Sequence, residues 1–246
     1  MTRYVWDNAW VPHTEPALDA KHWDEVACVD SWRHRNGTLS GFDAHRARFE
    51  HTAGQLPDAL WAQALELLDQ PGDLFPRIML AACRIYLEIR PAPALRTTTA
   101  LTLPQQGWPE PRTAPLVKGP DLQRLASHRA AYCAPGTDDV ALDHLAETTT
   151  GALVGWRGDT LVVPTATALP SITRSQVVRR AIETGVAIEH GQLSPTRPLW
   201  FLNALHGISP VDQVWVNGAE MTVPHHPETQ GWVDWWWGTF ARPDLV

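Results

Sequence analysis

The sequence predicts a two-domain α/β protein, and three observations carry that prediction. Runs of β-branched and apolar residues alternate with segments whose apolar residues recur at helical spacing. A hydrophobic fraction of 44% over 246 residues supplies ample material for a core. Between these patterned regions lies LPQQGWPEPRTAP (103–115), rich in Pro and Gln and without periodicity, which reads as a connection between domains of residues 1–103 and 104–246.

Residues 1–25 hold Trp6, Trp10, His13, His22 and Trp23, aromatic groups that pack at edges and rims and receive no chemistry. VACVDSWRHR (26–35) reads as a strand, turning at Asn36-Gly37. Strand alternation then puts Ser31, Arg33 and Arg35 on one face and Trp32 and His34 on the other. A helix is expected over 42–54, with Phe42, Phe49 and Ala53 on one side, and a second over about 58–69, with Leu60, Trp61, Ala64, Leu65 and Leu68 as its apolar face. Residues 77–90 and 97–103 read as strands, separated by Pro91 and Pro93. Past the connection, PDLQRLASHRAAYC reads as a helix with Pro120 in its first turn. DVALD (139–143) is a short strand, Glu147 opens the next, and a hairpin turns at Arg157-Gly158-Asp159. LPSITRSQVVRRAIETG (169–185) is a loop entering a helix: Thr173 is placed to cap it, Val177, Val178, Ala181 and Ile182 form its stripe, and Gly185 stops it. RPLWFLN (197–203) is a buried strand and VWVNG (214–218) a final strand and turn. In the tail, Trp232, Trp235 and Trp236 turn inward on a short helix, and Trp237 is left for a dimer or domain contact.

Composition excludes several classes. A net charge of −7 opposes a nucleic-acid footprint. Cys28, Cys83 and Cys133 are too irregularly spaced for a disulfide framework or a zinc site. No run approaches a membrane span, and MTRYVWDNAW lacks the apolar core of a signal peptide, so the expectation is a cytoplasmic protein with no membrane and no metal.

One residue stands out by its rarity. Of 20 Lys and Arg, only Lys21 and Lys118 are lysines. An amine can lose its proton and form a Schiff base, which a guanidinium cannot. Lys21 has no motif around it; Lys118 sits immediately before a helix. The helix opening at 172 offers backbone N–H groups and a positive dipole end to an anion, and the Thr173 hydroxyl is able either to cap or to bind a phosphate oxygen. On the residues alone, Glu147 reads equally as an edge-strand carboxylate or as a partner for a charged group.

Lys118, then Glu147 opening ETTTGALVGWRGDTLVVPT, then LPSITR, then NALHGISPV (203–211), with DSWRHRNGTLSGFDAHRARF (30–49) and FPRIMLAACRIYLEIRPAP (75–93) upstream, resembles class IV aminotransferases over about residues 26–217. The resemblance implies fold type IV: two mixed-sheet α/β domains holding pyridoxal 5′-phosphate at their interface, in a homodimer acting on a small-molecule amino substrate. It implies that Lys118 carries the Schiff base, that Glu147 accepts the proton of the pyridine nitrogen, and that Arg48, Ile172, Thr173, Asn203, Ala204 and Leu205 hold the phosphate. His45 falls on the family's histidine, and part of the 26–35 strand is expected to face substrate. His206 reads as a surface histidine.

Two positions depart from the family pattern. Ala152 stands where the family has asparagine, and Gln123 and Arg124 occupy the region of its tyrosine. The 203–211 loop is nearest the lyase form. The expected activity is therefore aminodeoxychorismate lyase, eliminating pyruvate to give 4-aminobenzoate for folate. The alternatives are an aminotransferase of branched-chain or D-amino acids with a 2-oxo acid acceptor, and a non-catalytic relative.

Overall fold

The computed structural model describes residues 1–14, 25–142 and 145–243. Lys21, His22 and Trp23 lie outside these residues. The chain forms a mixed α/β structure of two compact units. The first comprises Met1–Ala94, Val117–Leu122 and Trp237–Val246, and the second Leu95–Leu116 and Gln123–Trp236. This division replaces the single expected break at 103/104. Among the described residues, the strand around residue 100 pairs only with strands later in the chain, and so belongs with them.

The first unit is an antiparallel sheet, in the order β2-β1-β7-β6-β3, covered by two helices. Its elements are β1 (Thr2–Trp6), β2 (Trp10–Pro12), β3 (Val26–Ser31), β4 (His34–Arg35), α1 (Phe42–Ala53), α2 (Asp58–Leu68), β5 (Asp73–Leu74), β6 (Arg77–Ala81) and β7 (Arg84–Ile89). Residues 77–90 are two strands rather than one. Ala82 and Cys83 form the turn with φ of 47° and 58°, a left-handed pair without the Gly or Asn that announces such turns. The strand expected over 26–35 also divides. β3 ends at Ser31, so the two-residue alternation lapses: Trp32, Arg33 and His34 are all buried. Arg33 is tolerated inside because Asp73 takes its guanidinium in a fork and Pro93 O accepts a further N–H. Between sheet and helices, Trp32, Phe42, Phe49 and Trp61 meet edge to face.

The second unit is built on nine strands: β8 (Thr99–Thr102), β9 (Asp139–Leu142), β10 (Glu147–Thr148), β11 (Ala152–Arg157), β12 (Thr160–Pro164), β13 (Ile188–Gly191), β14 (Leu199–Asn203), β15 (Gly207–Val216) and β16 (Ala219–Thr222). Its helices are α3 (Leu122–Tyr132), whose first residue belongs to the first unit, α4 (Ile172–Glu183) and α5 (Thr229–Gly238), which runs on into the first unit at Trp237. The sheet is mixed: β8 runs parallel to β15 and β9, and β12 parallel to β13. The order β10-β9-β8-β15-β14-β11 closes on itself, because the two-residue β10 pairs with both β9 and β11. Leu101, Ala141, Leu153, Phe201, Val211 and Val214 form its apolar core. Among the described residues, no helix is long and apolar enough to cross a membrane.

α4 starts one residue earlier than its expected cap. Ser171, not Thr173, is the N-cap, its hydroxyl accepting from Arg174 N. Thr173 lies inside the first turn and is buried. Val177 and Ala181 face inward as expected, but Ile182 is 67% exposed; Gln176 takes the inward place and accepts a hydrogen bond from Trp236 Nε1.

Candidate active site

In the first unit, an acidic residue organises the basic ones. Asp30 lies in β3 with no exposed surface. α1 packs on β3 and presents His45 and Arg48, one turn apart, to that carboxylate. Arg48 donates through Nε (2.8 Å) and Nη2 (2.8 Å), and His45 Nδ1 lies 2.7 Å from Oδ1. Burial drives the Asp30 carboxyl toward neutrality, but the Arg48 and His45 charges outweigh it and hold its pKa far below the usual carboxylate range. Burial pushes the His45 imidazole pKa down; Asp30 opposes that shift, and Arg48 and Lys118 add to it by repulsion. Its Nε2 is buried without a hydrogen-bond partner among the described residues.

Lys118 is held by its backbone. Val29 N donates to Lys118 O (2.7 Å) beside Asp30. Gly119 adopts φ of 144°, and a Cβ there would stand 2.7 Å from Cys28 Cα. Glycine is what lets the chain lie this close to β3 and delivers the lysine to the Asp30–His45–Arg48 group.

In the second unit, four segments converge. Glu147 on β10 is buried; its Oε2 accepts from Leu169 N (3.0 Å) and its Oε1 from Arg112 Nη1 (2.5 Å). Burial raises its carboxyl pKa, and those two donors together with the Arg174 charge pull it back. Below it, Asp139 on β9 accepts from the hydroxyls of Thr148, Thr149 and Thr150 and from Thr150 N, fixing the turn after Glu147. Gly151 completes that turn, because a Cβ there would lie 2.5 Å from the Phe201 ring. Asn203 at the end of β14 donates to Thr150 O (3.3 Å), joining the third motif to the first. Arg174 in α4 donates to Ala146 O and Leu169 O, joining the second.

The structure therefore brings Glu147, the start of α4 at Ile172 and Thr173, and the loop Asn203–Ala204–Leu205 together in one unit, and Lys118 and Arg48 together in the other. The 203–205 loop is shaped by its own first residue. Asn203 Oδ1 accepts from Leu205 N (3.1 Å) and His206 N (2.7 Å), folding the loop on its own side chain. His206 is buried rather than at the surface, its Nδ1 accepting from Arg96 N. Trp237 is half-buried, its ring under the Arg33 guanidinium and beside Phe240.

Sequence reasoning missed Asp30, Asp139 and Arg112. A lone acid within an apolar strand run was a usable signal for Asp30. Arg112 had none, standing in an aperiodic, proline-rich segment.

The mixed α/β fold is that of the pyridoxal-phosphate enzymes of fold type IV. The family model for amino-transferase class IV matches residues 27–214, and the chain belongs to that family. No curated protein matches the sequence. Among solved structures, it is similar to a hypothetical aminotransferase from Mycobacterium tuberculosis in a PLP-bound form (15% identity, TM-score 0.78, covering 97% of this chain and 98% of that one). It is similar also to a putative branched-chain amino acid aminotransferase from Thermotoga maritima (15%, TM-score 0.74, 96% and 95%). A third is the branched-chain aminotransferase from Thermoproteus uzoniensis with norvaline (13%, TM-score 0.76, 96% and 93%).

The described residues fit the cofactor. An orphaned imidazole nitrogen and a paired arginine lie near the lysine, and a buried carboxylate near a helix start.

Proposed function

We propose that this class IV pyridoxal-phosphate enzyme is an aminotransferase, moving an amino group from an amino acid to the cofactor and on to a 2-oxo acid. Glu147 carries the proposal: a buried carboxylate aimed by Leu169 N–H at the entrance to α4, as an acceptor for a charged ring nitrogen requires. The cofactor, when bound, supplies an electron sink that acidifies the substrate's Cα–H. Lys118 Nζ anchors it and then moves the proton at that carbon. In the first unit Arg48, in the orientation Asp30 sets, would hold a phosphate; in the second, the first-turn amides of Ile172 and Thr173 and the Asn203–Leu205 loop would do so. Similar structures named as branched-chain aminotransferases support an apolar amino donor. The active species is a homodimer, which sedimentation measures directly.

The lyase reading keeps one support, the lyase-like 203–211 loop. It uses the same residues to release pyruvate from 4-amino-4-deoxychorismate.

The test is an absorption spectrum with added pyridoxal phosphate, followed by borohydride reduction and peptide mapping. A visible band trapped on the Lys118 peptide, and lost in Lys118→Ala, supports the assignment; its absence ends it. An amino donor alone then converts an aminotransferase stoichiometrically to the pyridoxamine form. A lyase keeps its band with that donor and releases pyruvate only when given 4-amino-4-deoxychorismate.

A further inference from the structure

Arg112 lies in the proline-rich segment, yet its side chain is only 6% exposed. The segment is pinned two ways within its unit. Trp108 stacks on Tyr132 of α3 (ring centroids 4.3 Å apart) and meets His128 edge-on. Arg112 itself forks onto Glu110 through Nε and Nη2 (both 2.7 Å). That leaves Nη1, which donates to Glu147 Oε1 and to Thr167 O (3.0 Å). A single guanidinium thus joins an exposed carboxylate to a buried one. A buried carboxylate loses its charge unless something compensates. The other charged group facing Glu147 is Arg174 from α4, whose side chain is directed to the carbonyls of Ala146 and Leu169. His128 of α3 faces Glu110.

We propose that Arg112 is the positioning residue for Glu147, holding its carboxylate charged and aimed for the ring nitrogen of the cofactor. The inference rests on the assignment of Glu147 made above. It also says what the connecting segment does: it delivers a counter-charge to the site, with Glu110 moderating that charge from the solvent side.

The experiment reads Glu147 directly and does not depend on cofactor. Carbon-13 NMR of glutamate carboxyls in the full-length chain, without added cofactor and with Glu147→Gln to assign the resonance, gives the titration midpoint of Glu147. Arg112→Gln is expected to raise that midpoint by about one pH unit or more, and Arg112→Lys to restore part of the difference. Glu110→Gln, a change at a half-exposed side chain that leaves the guanidinium in place, is expected to lower it. An unmoved midpoint in Arg112→Gln overturns the proposal; should that variant not fold, an unmoved midpoint in Glu110→Gln does so.

A second measurement is pyridoxal phosphate affinity against pH. The pH at which affinity falls off is expected to rise in Arg112→Gln. A uniform loss at every pH marks a structural part only and overturns the positioning role. If the wild type takes up no cofactor on Lys118, the functional reading fails, while the NMR titration still decides the Arg112–Glu147 pairing.

Discussion

At the residue scale, the first unit depends on one carboxylate. Asp30 is fully buried and satisfies a guanidinium and an imidazole together. Removing it strands a buried arginine, so Asp30→Ala is expected to cost about 3–5 kcal/mol, read from the urea midpoint. Because its folded pKa is depressed, its contribution is complete above about pH 4 and is lost as pH falls further toward the folded value. Asp30→Asn should therefore flatten the acid limb of the stability profile. His34 acts at a higher pH. Both its ring nitrogens are buried without hydrogen-bond partners among the described residues, and burial, opposed by Asp69, drives its pKa down to about 4. The unfolded chain takes up that proton nearer pH 6.5, so stability drains as pH falls from there to about 4. His34→Leu is expected to remove that slope, on the order of 1–3 kcal/mol across the window, measured by denaturant unfolding at pH 7 and pH 5. Asp30 was legible in VDSWRHR as a lone acid within an apolar strand run, whereas the joint burial of Trp32, Arg33 and His34 was not: it follows from the strand ending at Ser31, which residue-by-residue alternation did not reveal.

At the element scale, periodicity located the helices well. α1, α2 and α4 fall where apolar spacing put them, to within a residue or two, because each must bury a stripe. Local choices within them were harder to read. In PSITR two hydroxyls compete for the N-cap, and Ser171 takes it because Thr173 is drawn into the buried first turn. Ser171→Ala is expected to cost about 1 kcal/mol in thermal unfolding, whereas the same change at an ordinary first-turn position costs little. The Ala82–Cys83 turn was invisible because neither residue announces a positive φ. Gly151, in contrast, has a clear reason: Gly151→Ala sets a methyl against Phe201 and Leu202 O, and about 1–3 kcal/mol of destabilisation is expected.

At the scale of the whole molecule, the order of motifs along the chain revealed the family, while the partition of the chain did not follow from it. The Val117–Leu122 turn and the tail from Trp237 belong to the first unit, although both lie far from it in sequence. The tail is secured there by Leu39 pairing with Ala241, by Ser40 Oγ to Thr239 Oγ1, and by Trp237 under Arg33. A linear reading sees a proline-rich boundary and cuts once; long-range pairing decides otherwise. Fragments 1–103 and 104–246, expressed separately, are therefore expected to lack the near-ultraviolet circular dichroism of the intact chain, and truncation after Trp236 to lower its melting temperature.

Glu147 sits on the shortest strand of the second unit, the two-residue β10 that closes the ring between β9 and β11. The pairings that close the ring there join strands adjacent in the chain, so they are local contacts with a small loop-closure cost. The costly pairings of the ring are those between distant segments, β8 with β15 and β11 with β14. Cofactor capture on refolding is therefore expected to lag behind recovery of secondary structure and to keep time with those distant pairings.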